Sequence, residues 1–201
     1  AGVQMILFVE DSVRFYSSIL PHLYKFVLQQ SYNFSTEALN EHQRTLRMRG
    51  RPKIVLARTY EEAHDLYERF SDNMLGVITD VQYPRENTSD ERAGLELCEE
   101  VRKKDPYVPI IIESSEEEHQ WDAARYHASF INKNSKKIDL DLQHALKEHF
   151  GFGDFVFRDP NTGEEIARVR NLKELQNAIF TIPQESMMYH VSRNHISRWL
   201  Y

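Results

Sequence analysis

The chain has a single cysteine, Cys98, in 201 residues, so an internal disulfide and a disulfide-stapled scaffold are both excluded. Glycine is scarce at seven residues, which with 41% hydrophobic content argues for an ordered globular protein. No apolar stretch reaches the length of a membrane span, and no basic region precedes the first apolar run. Excess positive charge is also missing, because the net charge is −6. From Gly151 onward the acids Asp154, Asp159, Glu164, Glu165, Glu174 and Glu185 are matched by Arg158, Arg168, Arg170, Lys173, Arg193 and Arg198. The whole deficit therefore lies in residues 1–150. Clustered carboxylates suit a cation site and oppose a phosphate-backbone footprint. These absences lead us to expect a soluble, cytoplasmic protein with one good core and a small appendage. Cys98, set among Leu95, Leu97 and Val101, reads as a buried, inert thiol.

What the chain does have is apolar runs that end in polar chemistry. Met5-Ile-Leu-Phe-Val-Glu10-Asp11 ends in paired acids, and Met74-Leu-Gly-Val-Ile-Thr-Asp80 ends in one carboxylate. Val108-Pro-Ile-Ile-Ile-Glu-Ser114 ends in a hydroxyl, and Ser129-Phe-Ile-Asn-Lys133 in an ammonium. A fifth run, Ile54-Val-Leu-Ala57, carries no such group. Helical periodicity falls between the runs. The first helix spans 12–30, on Val13, Tyr16, Ile19, Leu20, Leu23 and Val27, with Pro21 expected to kink it. Further helices are expected at 60–70, opened by a Thr59/Glu62 capping box, and at 93–104, 116–127 and 136–149, the last capped by Gly151. Strand–helix alternation of this kind needs right-handed crossovers and a parallel sheet covered on both faces. The strand tips then share one edge, where three acids, a hydroxyl and a lysine suit a hard cation and a phosphoryl group.

The order and spacing of Glu10-Asp11, Asp80, Ser114 and Lys133 resemble the receiver domain of two-component response regulators, from about Val3 to Phe150. The resemblance implies an α/β fold, a doubly wound five-stranded parallel sheet of the flavodoxin type, in residues 1–150. It implies a phosphoprotein in which Asp80 accepts a phosphoryl group from a sensor histidine kinase or phosphotransfer protein. Mg²⁺ or Mn²⁺ would be held by Asp11, Asp80 and the backbone carbonyl of Gln82, with Glu10 acting directly or through water. Lys133 would pair with a phosphoryl oxygen and Ser114 would donate a hydrogen bond to it. Phe130 matches the aromatic whose rotamer follows Ser114. Such a domain catalyses only its own phosphorylation and dephosphorylation and is not a metabolic enzyme. Singly, each residue has an ordinary explanation: a strand-end cap, a surface lysine, acids at a helix N-terminus, a packed aromatic. Their joint presence in this order argues against that.

The chain departs from the receiver pattern in four places. Asn134 follows Lys133 where receivers commonly carry a proline in a cis peptide; a cis bond without proline costs about 2.5–4 kcal/mol, so a trans bond or a remodelled loop is expected. Glu113 puts a charge beside Ser114, either pointing away from the sheet or opposing an incoming anion. The segment Thr36 to Gly50, with Arg44, Arg47 and Arg49, reads as an additional helix. The polar stretch Pro84 to Gly94 is longer than in compact receivers and reads as a mobile loop beside the site.

Residues 151–201 read as an extension made of a β-hairpin and two helices. Phe155-Val-Phe157 and Ile166-Ala-Arg-Val169 flank the turn Asp159-Pro-Asn-Thr-Gly163. Asn171 and Glu174 open a helix that Pro183 ends, and a last helix over 185–201 carries Met188, Val191, His195 and Trp199 on one stripe. On a continuous helix His190 and His195 lie more than about 100° apart, which excludes a shared metal. The pattern Tyr189-His190, Asn194-His195, Ser197-Arg-Trp199 resembles a helical module that follows receivers in some bacterial proteins and precedes a phosphoenolpyruvate synthase-like region. That resemblance, with Trp199, Leu200 and Tyr201 ending in an apolar pattern, implies a connector to a downstream domain in the same polypeptide. The alternative is a last helix that docks on the receiver or on a second copy of itself in a homodimer. Three classes of function follow: a phosphorylation switch, a phosphate-independent interaction module, and a DNA-binding regulator using Ser192–Arg198. The last is disfavoured because only two arginines lie on a neutral segment.

Overall fold

The strand-forming runs are short, rich in β-branched residues and apolar on successive positions, as strands covered on both faces require. The computed structural model describes residues 3–33 and 51–200. Its strands are β1 (Met5–Val9), β2 (Lys53–Ala57), β3 (Met74–Asp80), the short β4 (Tyr83–Arg85) and β5 (Thr88–Asp90), β6 (Ile110–Ser114) and β7 (Ser129–Asn132). Five of them form one parallel sheet in the order β2-β1-β3-β6-β7, a doubly wound, flavodoxin-like arrangement with β3 at its centre. The helices are α1 (Val13–Asn33), α2 (Tyr60–Phe70), α3 (Ala93–Lys104), α4 (His119–Arg125) and α5 (Ile138–His149).

Strand alternation divides the core. Leu7, Val9, Ala57, Val77, Ile110 and Ile112 pack with Tyr60, Ala63 and Tyr67 of α2 and with Leu97, Cys98 and Val101 of α3. The opposite parity, Ile6, Phe8, Ile78, Ile111 and Ile131, is buried on the other face, as are Ile19, Leu23, Phe26 and Val27 of α1. Cys98 is a free, buried thiol whose pKa burial pushes up to about 12, as the apolar surroundings imply. Thr59 caps α2 as expected, accepting from Glu62 N at 3.2 Å. Pro21 lies inside α1. Residues 36–50, read as a further helix, lie outside the described residues. Among the described residues, no helix is long and apolar enough to cross a membrane.

The expectation of a mobile loop after Pro84 is overturned. β4 and β5 pair as an antiparallel hairpin, closed by Glu86 and Asn87 at φ 51° and 63°. Two successive positive-φ residues make the type I′ geometry that matches strand twist, so the polar stretch becomes a tight turn.

Residues from Leu146 onward form a second compact unit. It holds β8 (Phe155–Arg158), β9 (Glu165–Val169), α6 (Leu172–Ala178), α7 (Gln184–Ser192) and α8 (His195–Leu200). The expected hairpin forms, its turn held by Asp159 Oδ1, which accepts from Asn161 N and Thr162 N. Its core is Phe155, Phe157, Val169, Leu175, Ala178 and Trp199. The expected single last helix is broken. Asn194, at φ 57°, separates α7 from α8 and turns His195 back, so His190 Nδ1 and His195 Nδ1 stand 3.0 Å apart. Helical spacing therefore does not keep these histidines apart. Met188 and Val191 are exposed, so the apolar stripe fails as well.

Candidate functional site

Parallel pairing brings the C-terminal tips of β1, β3, β6 and β7 to one edge, and residue parity decides which side chains meet there. Asp80 and Glu113 are register partners, as are Glu113 and Ile131. Glu10, Asp80, Glu113 and Lys133 therefore share one face at the sheet edge. Lys133 Nζ forms ion pairs with Glu10 Oε2 and with Asp80 Oδ2, the latter at 2.6 Å. Glu10 Oε1 also accepts from Ser12 N at 3.0 Å, and Asp80 Oδ1 from Val81 N at 2.7 Å.

The charge balance is unfavourable for carboxylates. Burial raises the Glu10 pKa, the charge of Asp80 raises it further, and Lys133 only partly opposes them. Burial likewise raises Asp80, against the pull of Lys133. For Lys133, burial alone lowers the pKa, but Asp80 and Glu10 outweigh it and the ammonium is favoured. Carboxylate oxygens of Glu10, Asp11 and Asp80 all lie within 4.8 Å of one another. An all-oxygen donor set with one ammonium among three acids fits a hard divalent cation.

Ser114 is engaged elsewhere. Its Oγ shares a 2.8 Å hydrogen bond with His119 Nδ1 and accepts from Glu116 N at 3.1 Å. Phe130, the register partner of Ile112, is half-buried and packs against the apolar cluster on the α2–α3 face. The side chain of Gln82 is exposed and donates to Ser89 Oγ at 3.0 Å. Asn134 N donates to Asn132 Oδ1 at 2.8 Å, and no cis peptide occurs among the described residues. Of the two orientations open to Glu113, burial selects the inward one. The side chain is fully buried, neither oxygen has a hydrogen-bond partner, and burial pushes its pKa up to about 8.

No family model matches the sequence, and no curated relative does either. Solved structures of the same architecture are receiver domains. One is the receiver domain of a sensor histidine kinase from Pseudomonas aeruginosa, described with a magnesium ion coordinated in its active-site cleft. It is 17% identical, covers 75% of this chain and 99% of that one, and has a TM-score of 0.50. The first unit has the receiver fold. The response regulator TrrA of Thermotoga maritima, solved with Mg²⁺ and BeF, is 23% identical over 72% of this chain and 97% of that one, TM-score 0.45. The non-phosphorylated HemR receiver domain of Leptospira biflexa is 20% identical over 71% and 94%, TM-score 0.48.

Within the receiver fold, three residues escaped the sequence reading. Gly94, in the first turn of α3, sits so close to β3 that a Cβ there would stand 1.9 Å from the Asp80 carbonyl oxygen. Its signal was a glycine inside a helical pattern, which is costly unless packing demands it. His119 holds Ser114, but no spacing rule links a strand-end serine to a histidine in the next helix. Phe15 stands over Lys133 and lies off the apolar stripe by which α1 was recognised.

Proposed function

We propose that the first unit is a phosphorylation switch whose acceptor is Asp80. The observation that carries this reading is the Glu10–Lys133–Asp80 cluster at the edge of a receiver sheet, with Asp11 in reach. An Asp80 carboxylate oxygen attacks phosphorus as the bond to the donor's leaving group breaks and that group departs with the electron pair. Lys133 holds a phosphoryl oxygen by charge, and Ser114 reaches the same group by exchanging its bond to His119. Glu10, Asp11, Asp80 and the Gln82 carbonyl would hold Mg²⁺ or Mn²⁺. The bound cation would supply neutralisation of the charge that Lys133 alone leaves unbalanced. Positioning and charge neutralisation suffice for phosphoryl transfer, so no general base is required. The donor on this reading is a histidine kinase or phosphotransfer protein in the cytoplasm, and the second unit is a connector to the output.

One observation favours a rival. Glu113, buried and unpartnered beside Asp80, adds a fourth carboxyl to the site, which suits a receiver-like interaction module with silenced chemistry. Labelling by a small phosphodonor such as acetyl phosphate separates the two. We expect stoichiometric, hydroxylamine-labile label that requires Mg²⁺ and is lost in Asp80→Asn with the fold retained. Undiminished label in Asp80→Asn removes Asp80 from its role, and no label in the unmodified protein favours the silent module.

A further inference from the structure

The ammonium of Lys133 has a neighbour besides its carboxylates. Lys133 Nζ stands 4.5 Å from the centroid of the Phe15 ring, within the distance at which the negative face of an aromatic ring attracts a cation. The Lys133 side chain is only 3% exposed, so ring and carboxylates together enclose it. Glu10 ties the two sides of this contact together. Its Oε2 pairs with Lys133, while its Oε1 accepts from Ser12 N, and Ser12 O in turn accepts from Phe15 N at 3.0 Å. One carboxylate thus locates both the ammonium and the helix start that presents the ring.

We propose that Phe15 is a positioning residue for Lys133, its ring holding the ammonium at the sheet edge when the carboxylates are taken by other ligands. The need arises from the geometry. Glu10 and Asp80, the ion-pair partners of Lys133, are also two of the three acids that form the candidate cation site. A divalent ion that shares those carboxylates weakens their hold on the lysine before a phosphoryl oxygen has arrived to take their place. A lysine on a flexible four-carbon stem would then swing towards water. The ring contact survives ion binding, because a cation bound by oxygen ligands does not compete for it. Glu113 lies near Lys133 as well but forms no hydrogen bond to it.

The kinetic part of this inference rests on the receiver reading, so its test has two readouts in the full chain. The first is the NMR shift of the Lys133 ε-methylene protons in excess Mg²⁺. We expect an upfield ring-current shift that persists in Phe15→Tyr and disappears in Phe15→Leu. The second is the rate of acetyl phosphate labelling with one, two and three fluorines on Phe15, which drain the ring face while barely changing its shape. The rate should fall stepwise, by roughly two- to five-fold across the series, with Mg²⁺ affinity unchanged. Ordinary Lys133 shifts in excess Mg²⁺ would overturn the proposal, as would a flat fluorination series with a loss in Phe15→Leu alone. A protein that takes no label at all refutes the receiver reading, and the NMR shift alone then decides the role of Phe15.

Discussion

Glu113 is poorly accommodated in this fold, because burial without a hydrogen-bond donor disfavours its ionised form. An ionised carboxyl there would lie near Glu10 and Asp80 without a donor, so burial pushes its pKa from 4.5 up to about 8. Between those values the folded chain keeps a proton that the unfolded chain has released. Stability therefore falls as pH rises through this window. We predict that Glu113→Met, unbranched and of similar length, stabilises the protein at pH 8 and much less at pH 5. The difference between the two pH values should be about 3–4 kcal/mol, read by urea denaturation at each. Equal effects at both pH values would show that Glu113 is not a proton-holding group. Gly94 makes a second residue-scale case. A methyl at this position meets backbone rather than a movable side chain, 1.9 Å from Asp80 O. Gly94→Ala should cost about 1–3 kcal/mol and displace the Asp80 carboxylate. Wild-type stability in that variant, from the same denaturation curves, would show that the approach of α3 to β3 is looser than described.

At the scale of elements, the break between α7 and α8 creates a small polar device inside an aromatic core. His190 Nε2 accepts from Arg158 N at 3.0 Å, so a neutral His190 carries its proton on Nδ1 and donates it to His195 Nδ1. Burial lowers both pKa values to about 4, with nearby arginines contributing for each and His190 also lowering His195. A base whose folded pKa is depressed favours unfolding once the unfolded chain can bind the proton. The second unit should therefore lose stability as pH falls from about 6.5 towards 4. Asn194→Ala, which penalises φ 57°, should weaken this acid sensitivity and separate the histidines; unchanged imidazole shifts in NMR would contradict that. Legibility followed locality. β3, α2 and α3 fall where the sequence reading puts them, because their apolar spacing and ends are local signals. The break at Asn194 was hidden because Val191, His195 and Trp199 keep helical spacing across it. The β4–β5 hairpin was hidden because Glu86-Asn87 lacks the glycine that usually marks such a turn. At the site, strand-end acids and the lysine could be read, whereas Phe15 and His119 depend on packing between elements.

The whole molecule places its acidic deficit in residues 1–150, the part that carries the sheet edge, and leaves the remainder neutral. Among the described residues the Lys133 ammonium pairs with Glu10 and Asp80 of the Glu10, Asp11 and Asp80 cluster, so a divalent cation should relieve the remaining repulsion and stabilise the fold as it fills the site. We predict that millimolar Mg²⁺ raises the thermal midpoint with saturating concentration dependence, and that Asp11→Ala abolishes the increase. An equal shift in Asp11→Ala would place the ion elsewhere. That result would leave the central claim, that the receiver edge makes an acyl phosphate on Asp80, to be tested by locating the phosphoryl group itself. The direct measurement is borohydride trapping after incubation with acetyl phosphate and Mg²⁺, followed by peptide mass spectrometry. We predict that the reduced residue is found at position 80 and disappears when Mg²⁺ is omitted. Trapping at any other carboxylate, or none under conditions where Mg²⁺ demonstrably binds, would contradict it.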